Sequence, residues 1–460
     1  MLFNSQAFVL AFLPVVLALF YAAPCLRARQ LVLVLASLAF YGYWDLRFVP
    51  ALVLLTLAIW LIVRWYAATG RGWILVFGIV LNLIVLGVCK YANFVGANLS
   101  ALLGLPFTPF DIILPLGVSF FTFQKISYLI DLRRGDRHIY GLLEFFAFVT
   151  FFPQLIAGPI VRHNELMPQW RQDPRGPAVW ENLSRGAVLF TIGFAKKAGL
   201  ADTLALTVDP LFTQAGGATL NLAQGWLAAL GYALQIYFDF SGYSDMAIGL
   251  GLMFGLRLPF NFDAPYRATS IREMWRRWHM TLSRFLRDYV YIPLGGNRHG
   301  AAAQARTVVL TMLLGGLWHG AAWTFVAWGG LQGVALAING AWYRHAKGRG
   351  WRMPPALGWL MTIVFFMTVF VFFRAASFGE ATRVLAGMAG FGGVGGMRVH
   401  GGWALILGSL AAVLGPTSQA VAFGKLRPSA WMAIPAGIAL VGLLLLSAGR
   451  VPNEFIYFQF

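Results

Sequence analysis

Residues 275–323 read WRRWHMTLSRFLRDYVYIPLGGNRHGAAAQARTVVLTMLLGGLWHGAAW and combine basic, aromatic and apolar segments. It begins with a basic, aromatic run that we predict to be helical, and it continues into a glycine-rich turn at 295–299. It ends in an apolar segment that is long enough to enter a bilayer and that contains His319. Because an ionisable side chain at membrane depth is costly, His319 marks a candidate functional site.

The composition of the whole chain is that of an integral membrane protein. Of the 460 residues, 59% are hydrophobic and 11% are charged, whereas a soluble domain carries roughly 25% charged residues. The mean hydropathy is +0.69. We therefore expect an all-α polytopic membrane protein with about 11–13 transmembrane helices plus re-entrant or amphipathic helices.

The apolar runs locate these helices along the chain. Two prolines, Pro153 and Pro159, interrupt the segment 145–160, so we predict a broken or re-entrant helix there. A bent span is expected at 114–131. The remaining spans are predicted at 7–24, 31–45, 49–63, 73–89, 186–200, 224–256, 305–322, 324–342, 357–373, 402–416 and 430–448.

The formal charge of +18 is explained by topology rather than by nucleic acid. The basic residues lie mostly in short loops between apolar runs, as the positive-inside rule and anionic lipid head groups favour. Counting these residues places both chain termini outside the cytoplasm, and we read the first span as retained rather than cleaved. We expect a multi-pass protein of the bacterial inner membrane that contacts lipid and binds no nucleic acid.

The most basic stretch is 257–298, with eight arginines, no lysine and three acidic residues. One interpretation is a cytoplasmic surface that lies on anionic lipid. The other is a site for the phosphates and purine ring of a donor, because arginine pairs with phosphate and stacks on aromatic rings. The candidate donor-binding residues are Arg272, Arg276, Arg277, Trp278, Arg284 and Arg287.

A polar cluster lies within the long apolar segment 224–256. Two acidic residues and several hydroxyls at membrane depth must face inward. They either fix helix packing or line a reaction chamber. The candidate chamber-lining residues, including two tryptophans that flank the histidine site, are Asp239, Ser241, Tyr243, Ser244, Asp245, Trp318 and Trp323.

His319 and His279 are the two histidines in apolar or amphipathic helical surroundings, and the other five are expected in solvated loops. Removal from water favours the neutral imidazole, which is the form that deprotonates a hydroxyl acceptor. The sequence has no serine nucleophile elbow, zinc-binding His-Glu-x-x-His helix or phosphate loop. The two cysteines lack the spacing of metal ligands, so we expect no metal.

These residues carry a family resemblance. The motifs are 275–279, the turn 289–296, Leu317 to Gly320, the cluster 237–245 and the terminal run 455–460. Together they resemble the membrane-bound O-acyltransferases, in particular the membrane subunit of bacterial alginate O-acetyltransferases. The resemblance extends over practically the whole chain, as one integral-membrane domain at 1–460. Within it we distinguish N-terminal helices at 1–105, a catalytic core at 106–345, and C-terminal helices with the terminal aromatic motif at 346–460.

The resemblance implies a mechanism and a fold. His319 would be the catalytic histidine and His279 the second member of the pair. The fold would be a ring of helices around a thinned centre, with cytoplasmic and periplasmic funnels. An acyl group, most simply acetyl from acetyl-CoA, would pass from the cytoplasm to a periplasmic SGNH-type acetyltransferase subunit that modifies a polysaccharide such as alginate. No cofactor would be bound permanently.

Tyr457 is a candidate acyl carrier on the outer side, because a tyrosyl ester keeps much of the transfer potential of a thioester. The alternative for this residue is an aromatic anchor at the membrane interface. Two rival functions also stay open, a non-covalent transporter or flippase and a membrane scaffold for a modifying complex.

Overall fold

The computed structural model describes residues 1–397, 399–425, 430–447 and 454–458, and within these ranges the fold is all-α with no strand. The prediction of an all-α fold is confirmed. The α-helices are α1 (Leu13–Ala22), α2 (Leu26–Gly42), α3 (Phe48–Thr69), α4 (Trp73–Leu86), α5 (Ala92–Leu103), α6 (Val118–Arg133), α7 (Leu142–Thr150), α8 (Phe152–Leu155), α9 (His163–Trp170), α10 (Val179–Phe194), α11 (Asp202–Ala215), α12 (Leu222–Met253), α13 (Ile271–Arg277), α14 (Met280–Leu286), α15 (Gly300–His319), α16 (Trp323–Arg349), α17 (Pro355–Arg374), α18 (Phe378–Met388), α19 (Gly402–Val413) and α20 (Ala430–Ser447).

Short turns of other helix types join or extend these elements. The π-helical turns are Phe8–Phe12, Gly87–Tyr91, Ala195–Ala201, Arg287–Tyr291 and Ala420–Lys425, and the 3₁₀ turns are Pro265–Arg267 and Ile456–Phe458. A π-turn inside a helix is often a functional feature. Here one such turn carries a buried lysine that is described below.

Four helices in the described part of the chain are long and apolar enough to cross a bilayer: α3, Trp73–Leu103, α15 and α17. Two of them are longer than predicted, because α3 continues past Arg64 and the fourth span continues past Lys90. The Arg64 guanidinium lies 5.9 Å from the Trp60 ring centroid, so the charged group packs on the surface of its own helix. A charged residue in the last turns therefore does not mark a helix end.

The predicted break within 145–160 is confirmed. α7 ends at Thr150, Phe151 leaves the helical conformation, and α8 is a single short turn that contains Pro153. All residues from 151 to 160 are buried. Irregular backbone at this depth is tolerated because protein, and not lipid, surrounds it.

The chain divides into two compact units. The first unit comprises Met1–Ile192, Tyr243–Pro259 and the described part of 422–459; the second comprises Gly193–Gly242 and Phe260–Val421. The helix α12 contributes to both. The division into 1–105, 106–345 and 346–460 stays a prediction.

Candidate active site

His279 lies at a break in the basic, aromatic run. The predicted helical run is interrupted there, because α13 ends at Arg277 and Trp278 is extended. His279 then adopts the left-handed conformation, with φ 43° and ψ 52°, before α14 begins. A non-glycine residue in this region is strained and persists only where its surroundings hold it, and such residues cluster at functional sites.

Asn261 holds this break in place. The His279 Nδ1 atom lies 3.2 Å from Asn261 Oδ1, which also accepts hydrogen bonds from the Thr281 hydroxyl (2.8 Å) and the Thr281 N–H (3.2 Å). The Asn261 carbonyl accepts a further bond from the Met280 N–H at 2.9 Å. Because Asn261 Oδ1 acts as an acceptor, the proton of His279 lies on Nδ1 and the lone pair on Nε2. Burial lowers the pKa of His279 to about 3, so the imidazole is neutral.

His319 is the last residue of α15 and lies close to His279. Their ring centroids are 6.4 Å apart, and the exposed fractions are 4% for His319 and 1% for His279. The His319 ring contacts Trp318 at 4.9 Å, Trp328 at 5.1 Å and Phe373 at 5.1 Å between centroids. The structure thus brings the two predicted histidines together in an aromatic, nearly dry environment.

Glycines allow α15 and α16 to pack closely enough to place Trp328 on His319. A Cβ atom on Gly316 would overlap the Phe325 carbonyl oxygen, and one on Gly320 would overlap the Phe325 ring. No larger residue fits at either position without a shift of backbone or ring. The Gly-Gly-Leu-Trp-His-Gly motif is therefore a packing motif as well as the position of the histidine.

Two packed aromatic side chains connect His319 to the wall of a cavity. Trp328 contacts Trp275 at 6.0 Å between ring centroids, and the Trp275 indole N–H donates to Gln332 Oε1 at 3.0 Å. Trp275 in turn lines a cavity of about 430 Å³ in the second unit. Sequence reasoning missed Trp328 and Gln332, because nothing in an apolar helix distinguishes a residue that faces a site from one that faces lipid.

Four arginines are among the residues that line this cavity. Three of the predicted donor-binding residues line it, namely Arg272, Arg276 and Arg287, and Arg344 joins them. The other three candidates, Arg277, Trp278 and Arg284, are not among its lining residues. Most of the remaining walls are apolar, from α15 and α16. A cavity with apolar walls and a cationic edge suits an anionic molecule that also has an apolar part.

Arg277 serves a local structural purpose instead. Its side chain donates to Glu273 Oε1 at 3.0 Å and to the Asp263 carbonyl oxygen at 3.1 Å. These bonds fasten α13 to the preceding loop. Trp278 is buried and its ring contacts Phe262 and Phe370.

The polar cluster of α12 is divided between the two units. In the second unit, Asp239 pairs with Lys197 at 2.7 Å, and Lys197 also pairs with Asp202 at 2.9 Å. Lys197 lies in the π-turn Ala195–Ala201 and is buried. Ser241 is buried as well. These ion pairs connect the π-turn Ala195–Ala201 with α11 and α12, and the roles of Asp239 and Ser241 in lining a chamber stay predictions.

In the first unit, Tyr243 packs against the terminal aromatic segment. Its ring lies 4.6 Å from Phe455 and 4.9 Å from Phe3 between centroids. Ser244 and Asp245 are buried beside it in α12. The backbone of Tyr457 belongs to the 3₁₀ turn Ile456–Phe458. The segment 454–458 thus contacts α12 through the Phe455 ring.

The two tryptophans proposed to line the chamber differ in exposure. Trp318 is buried against His319, whereas Trp323, the first residue of α16, is 54% exposed. Their roles stay predictions.

The expectation that His163 is a solvated loop residue is wrong. It begins α9 and is fully buried. Its Nδ1 lies 3.0 Å from the Tyr140 hydroxyl, and its Nε2 lies 3.4 Å from Asp131 and 3.7 Å from Asp136. Sequence reasoning missed this cluster because its members come from separate segments with no shared motif.

The site falls within a region that matches a known family. The sequence model of the membrane-bound O-acyltransferase family matches residues 119–379, which include both histidines. A peptidoglycan O-acetyltransferase of Helicobacter pylori is 39% identical over 428 residues, covering 86% of this chain and 81% of that protein. The protein named "Probable alginate O-acetylase AlgI" of Azotobacter vinelandii is 43% identical over 403 residues, covering 85% and 79%. A teichoic acid D-alanyltransferase of Streptococcus thermophilus is 32% identical over 249 residues, covering 50% and 58%.

Proposed function

The chain belongs to the membrane-bound O-acyltransferase family, and we propose that it passes an acetyl group from cytoplasmic acetyl-CoA across the bacterial inner membrane. The acetyl group is then used by a periplasmic SGNH-type transferase for O-acetylation of an exopolysaccharide such as alginate. The observation that carries the proposal is the buried pair of imidazoles, 6.4 Å apart, within the family-matched region.

His319 acts as the general base in this proposal. It accepts the proton of an acceptor hydroxyl while the oxygen attacks the thioester carbonyl, so that a C–O bond forms. The tetrahedral intermediate then expels the CoA thiolate as the C–S bond breaks, and the proton on His319 neutralises the leaving sulfur. His279, neutral and held by Asn261, presents its Nε2 side as a second polar group near the reacting atoms.

The arginine-edged cavity takes the donor. Guanidinium groups of Arg272, Arg276, Arg287 and Arg344 pair with the phosphates of CoA. The apolar walls accept the pantetheine arm, and the thioester reaches His319 past Trp275 and Trp328. The volume of about 430 Å³ lies within the usual range for small-molecule sites.

Tyr457 is the acceptor that carries the acetyl group on the outer side. A phenol of pKa about 10 leaves almost as readily as a thiol of pKa about 8.5, so the tyrosyl ester remains reactive toward a serine of the partner enzyme. The packing of Phe455 on Tyr243 supports this role, because it fastens the terminal turn that contains Tyr457. In this topology both termini are periplasmic.

Peptidoglycan is a second candidate acceptor. The Helicobacter pylori relative carries that activity in its name and covers as much of this chain as the alginate relative does. Mass analysis of the modified polymer distinguishes the two.

The experiment is acetyl transfer from labelled acetyl-CoA by the purified chain with its partner transferase. We expect His319→Ala to abolish transfer while membrane insertion and the thermal stability of the chain stay unchanged. We expect Tyr457→Phe to abolish labelling of the chain. Full transfer by His319→Ala would contradict the enzymatic proposal and favour a scaffold or transporter. Full activity of Tyr457→Phe, with no acetylated Tyr457 found by mass spectrometry, would remove only the relay.

A further inference from the structure

A second cavity lies wholly within the first unit and has no assigned role. Its volume is about 490 Å³, and it shares no lining residue with the arginine-edged cavity of the second unit. Its walls come from the start of α2, the end of α9, the loop 172–178 and the loop after α12. Apolar side chains such as Phe20 and Phe254 stand beside a polar set that includes Arg29, Trp170 and Arg257.

Positive charge exceeds negative charge around this cavity. The Asp173 carboxylate is shared by two guanidiniums, with Arg29 Nη1 at 2.9 Å and Arg175 Nη2 at 3.0 Å. Arg257 adds a further cation, and its backbone is fixed by Gln169, which accepts from the Arg257 N–H at 2.8 Å and donates to its carbonyl at 3.1 Å. The cavity lining thus holds two arginines and one carboxylate, and Arg175, outside the lining, also pairs with that carboxylate.

Two buried donors on the cavity wall lack acceptors. The exposed fractions of Arg29 and Trp170 are 3% and 4%. Among the residues that the structure describes, neither the Arg29 Nε–H nor the Trp170 Nε1–H has a hydrogen-bond acceptor. Buried donors nearly always have a hydrogen-bond acceptor in folded proteins, and a buried donor without an acceptor is costly. Both residues are among those that line this cavity, and a bound acceptor that reached either donor would satisfy it.

We propose that this cavity binds the phosphate group of an anionic phosphoester. Phosphate oxygens accept several hydrogen bonds at once and pair with guanidinium in a planar, bidentate manner. The group comes either from the head group of an anionic phospholipid, whose glycerol would lie on the apolar wall, or from free phosphate. The proposal is independent of acyl transfer, because it concerns binding in the first unit alone.

The test is binding to the purified full chain, measured by native mass spectrometry with three probes: phosphatidylglycerol, phosphatidylcholine and inorganic phosphate. Arg257→Ala removes an exposed side chain and is expected to weaken binding about tenfold, as loss of a charge-assisted hydrogen bond does. Trp170→Phe keeps the ring, removes the N–H, and is expected to weaken binding about threefold. Arg171→Ala is the matched control, since Arg171 is exposed, equally charged and outside the cavity lining.

Tight binding of phosphatidylglycerol but not phosphatidylcholine, lost in the two cavity variants and kept in Arg171→Ala, supports a lipid head group. Binding of inorganic phosphate with the same variant pattern, and no preference between the lipids, supports free phosphate. Equal binding of every probe by wild type, Arg257→Ala and Trp170→Phe would overturn the proposal. An equal loss in Arg171→Ala would overturn it too, because it would indicate only a diffuse surface charge.

Discussion

Replacement of Asn261 is the most direct test of how the histidine pair is held. Asn261→Leu removes the acceptor for the Thr281 N–H and hydroxyl and for His279 Nδ1, all within 3.2 Å. Loss of a hydrogen bond costs about 0.5 to 1.5 kcal/mol net, so removal of the two bonds to Thr281 should lower the free energy of unfolding by about 1 to 3 kcal/mol. The left-handed His279 also loses the contact that keeps its ring in place. A displacement of about 1 Å at a reacting group lowers a rate about 100-fold.

Asn261→Asp separates positioning from folding. Its carboxylate keeps an acceptor beside Thr281, so the fold should survive, but it places a negative charge about 3 Å from His279 Nδ1, which favours the imidazolium form. The pKa of His279, which burial lowers to about 3 in the native chain, should therefore rise. The acid limb of the rate profile should then move to higher pH in the Asp variant, while the wild type shows no His279 limb between about pH 5 and 8.

The assay is the initial rate of transfer from labelled acetyl-CoA across pH 5 to 8, with thermal unfolding measured in the same detergent. We expect a loss of about 100-fold for Asn261→Leu at pH 7. If Asn261→Leu retained more than half of the wild-type rate, or if the Asp variant and the wild type had superimposable pH profiles, His279 would not need the Asn261 contact.

Three further predictions concern the donor cavity, the ion triad and the buried imidazole. Arg276→Ala should raise the KM for acetyl-CoA about tenfold, because it removes a charge-assisted hydrogen bond. Arg306 is exposed and outside the cavity, so Arg306→Ala should leave the KM unchanged, and equal KM values for the two variants would reject the donor site. Lys197→Met should destabilise the chain by about 3 to 5 kcal/mol, because it removes the cation paired with the buried Asp239 carboxylate. Adding Asp239→Asn should restore part of this loss in thermal unfolding, and identical stabilities of the single and double variants would contradict the pairing. The pKa of His279 is lower in the folded chain than in the unfolded chain, so the unfolded chain takes up a proton first as the pH falls below about 6.5. The free energy of unfolding should therefore drop by up to about 1.4 kcal/mol per pH unit. His279→Gln should flatten this pH dependence, and parallel curves of stability against pH for the variant and the wild type would argue against a neutral buried ring.

The fold was largely predictable because membrane spans are long apolar runs and prolines mark breaks. The apolar segment that ends at His319 and the break before Pro153 both follow from these rules. The details of the site were not predictable, because they depend on pairs that are distant in the chain. Asn261 meets His279 across 18 residues and Lys197 meets Asp239 across 42. Nothing in a basic, aromatic run indicates that its histidine will adopt a left-handed conformation.

The composition around His163 led to a wrong prediction. His163 lies in a polar segment with several arginines, which is the usual pattern of a solvated loop. The residue is nevertheless buried, because Tyr140 and Asp131 supply partners from other segments. Burial of a polar group is decided by whether partners exist in the folded chain, and single-sequence reasoning has no access to them.

The burial of His319 sets a condition on how a thioester reaches it. Trp275 lines the cavity, is held by one hydrogen bond to Gln332, and contacts Trp328, which covers His319. Rotation of the indole would break that bond and leave the buried Gln332 oxygen without this donor, at a cost of about 1 to 3 kcal/mol, and this movement would admit the donor. Closure would protect the thioester from hydrolysis. Trp275→Ala should therefore increase hydrolysis of acetyl-CoA relative to transfer, whereas Trp180→Ala, which removes a ring that is 76% exposed, should not. An unchanged ratio of hydrolysis to transfer in Trp275→Ala would mean that the donor reaches the imidazole by a route that this ring does not guard.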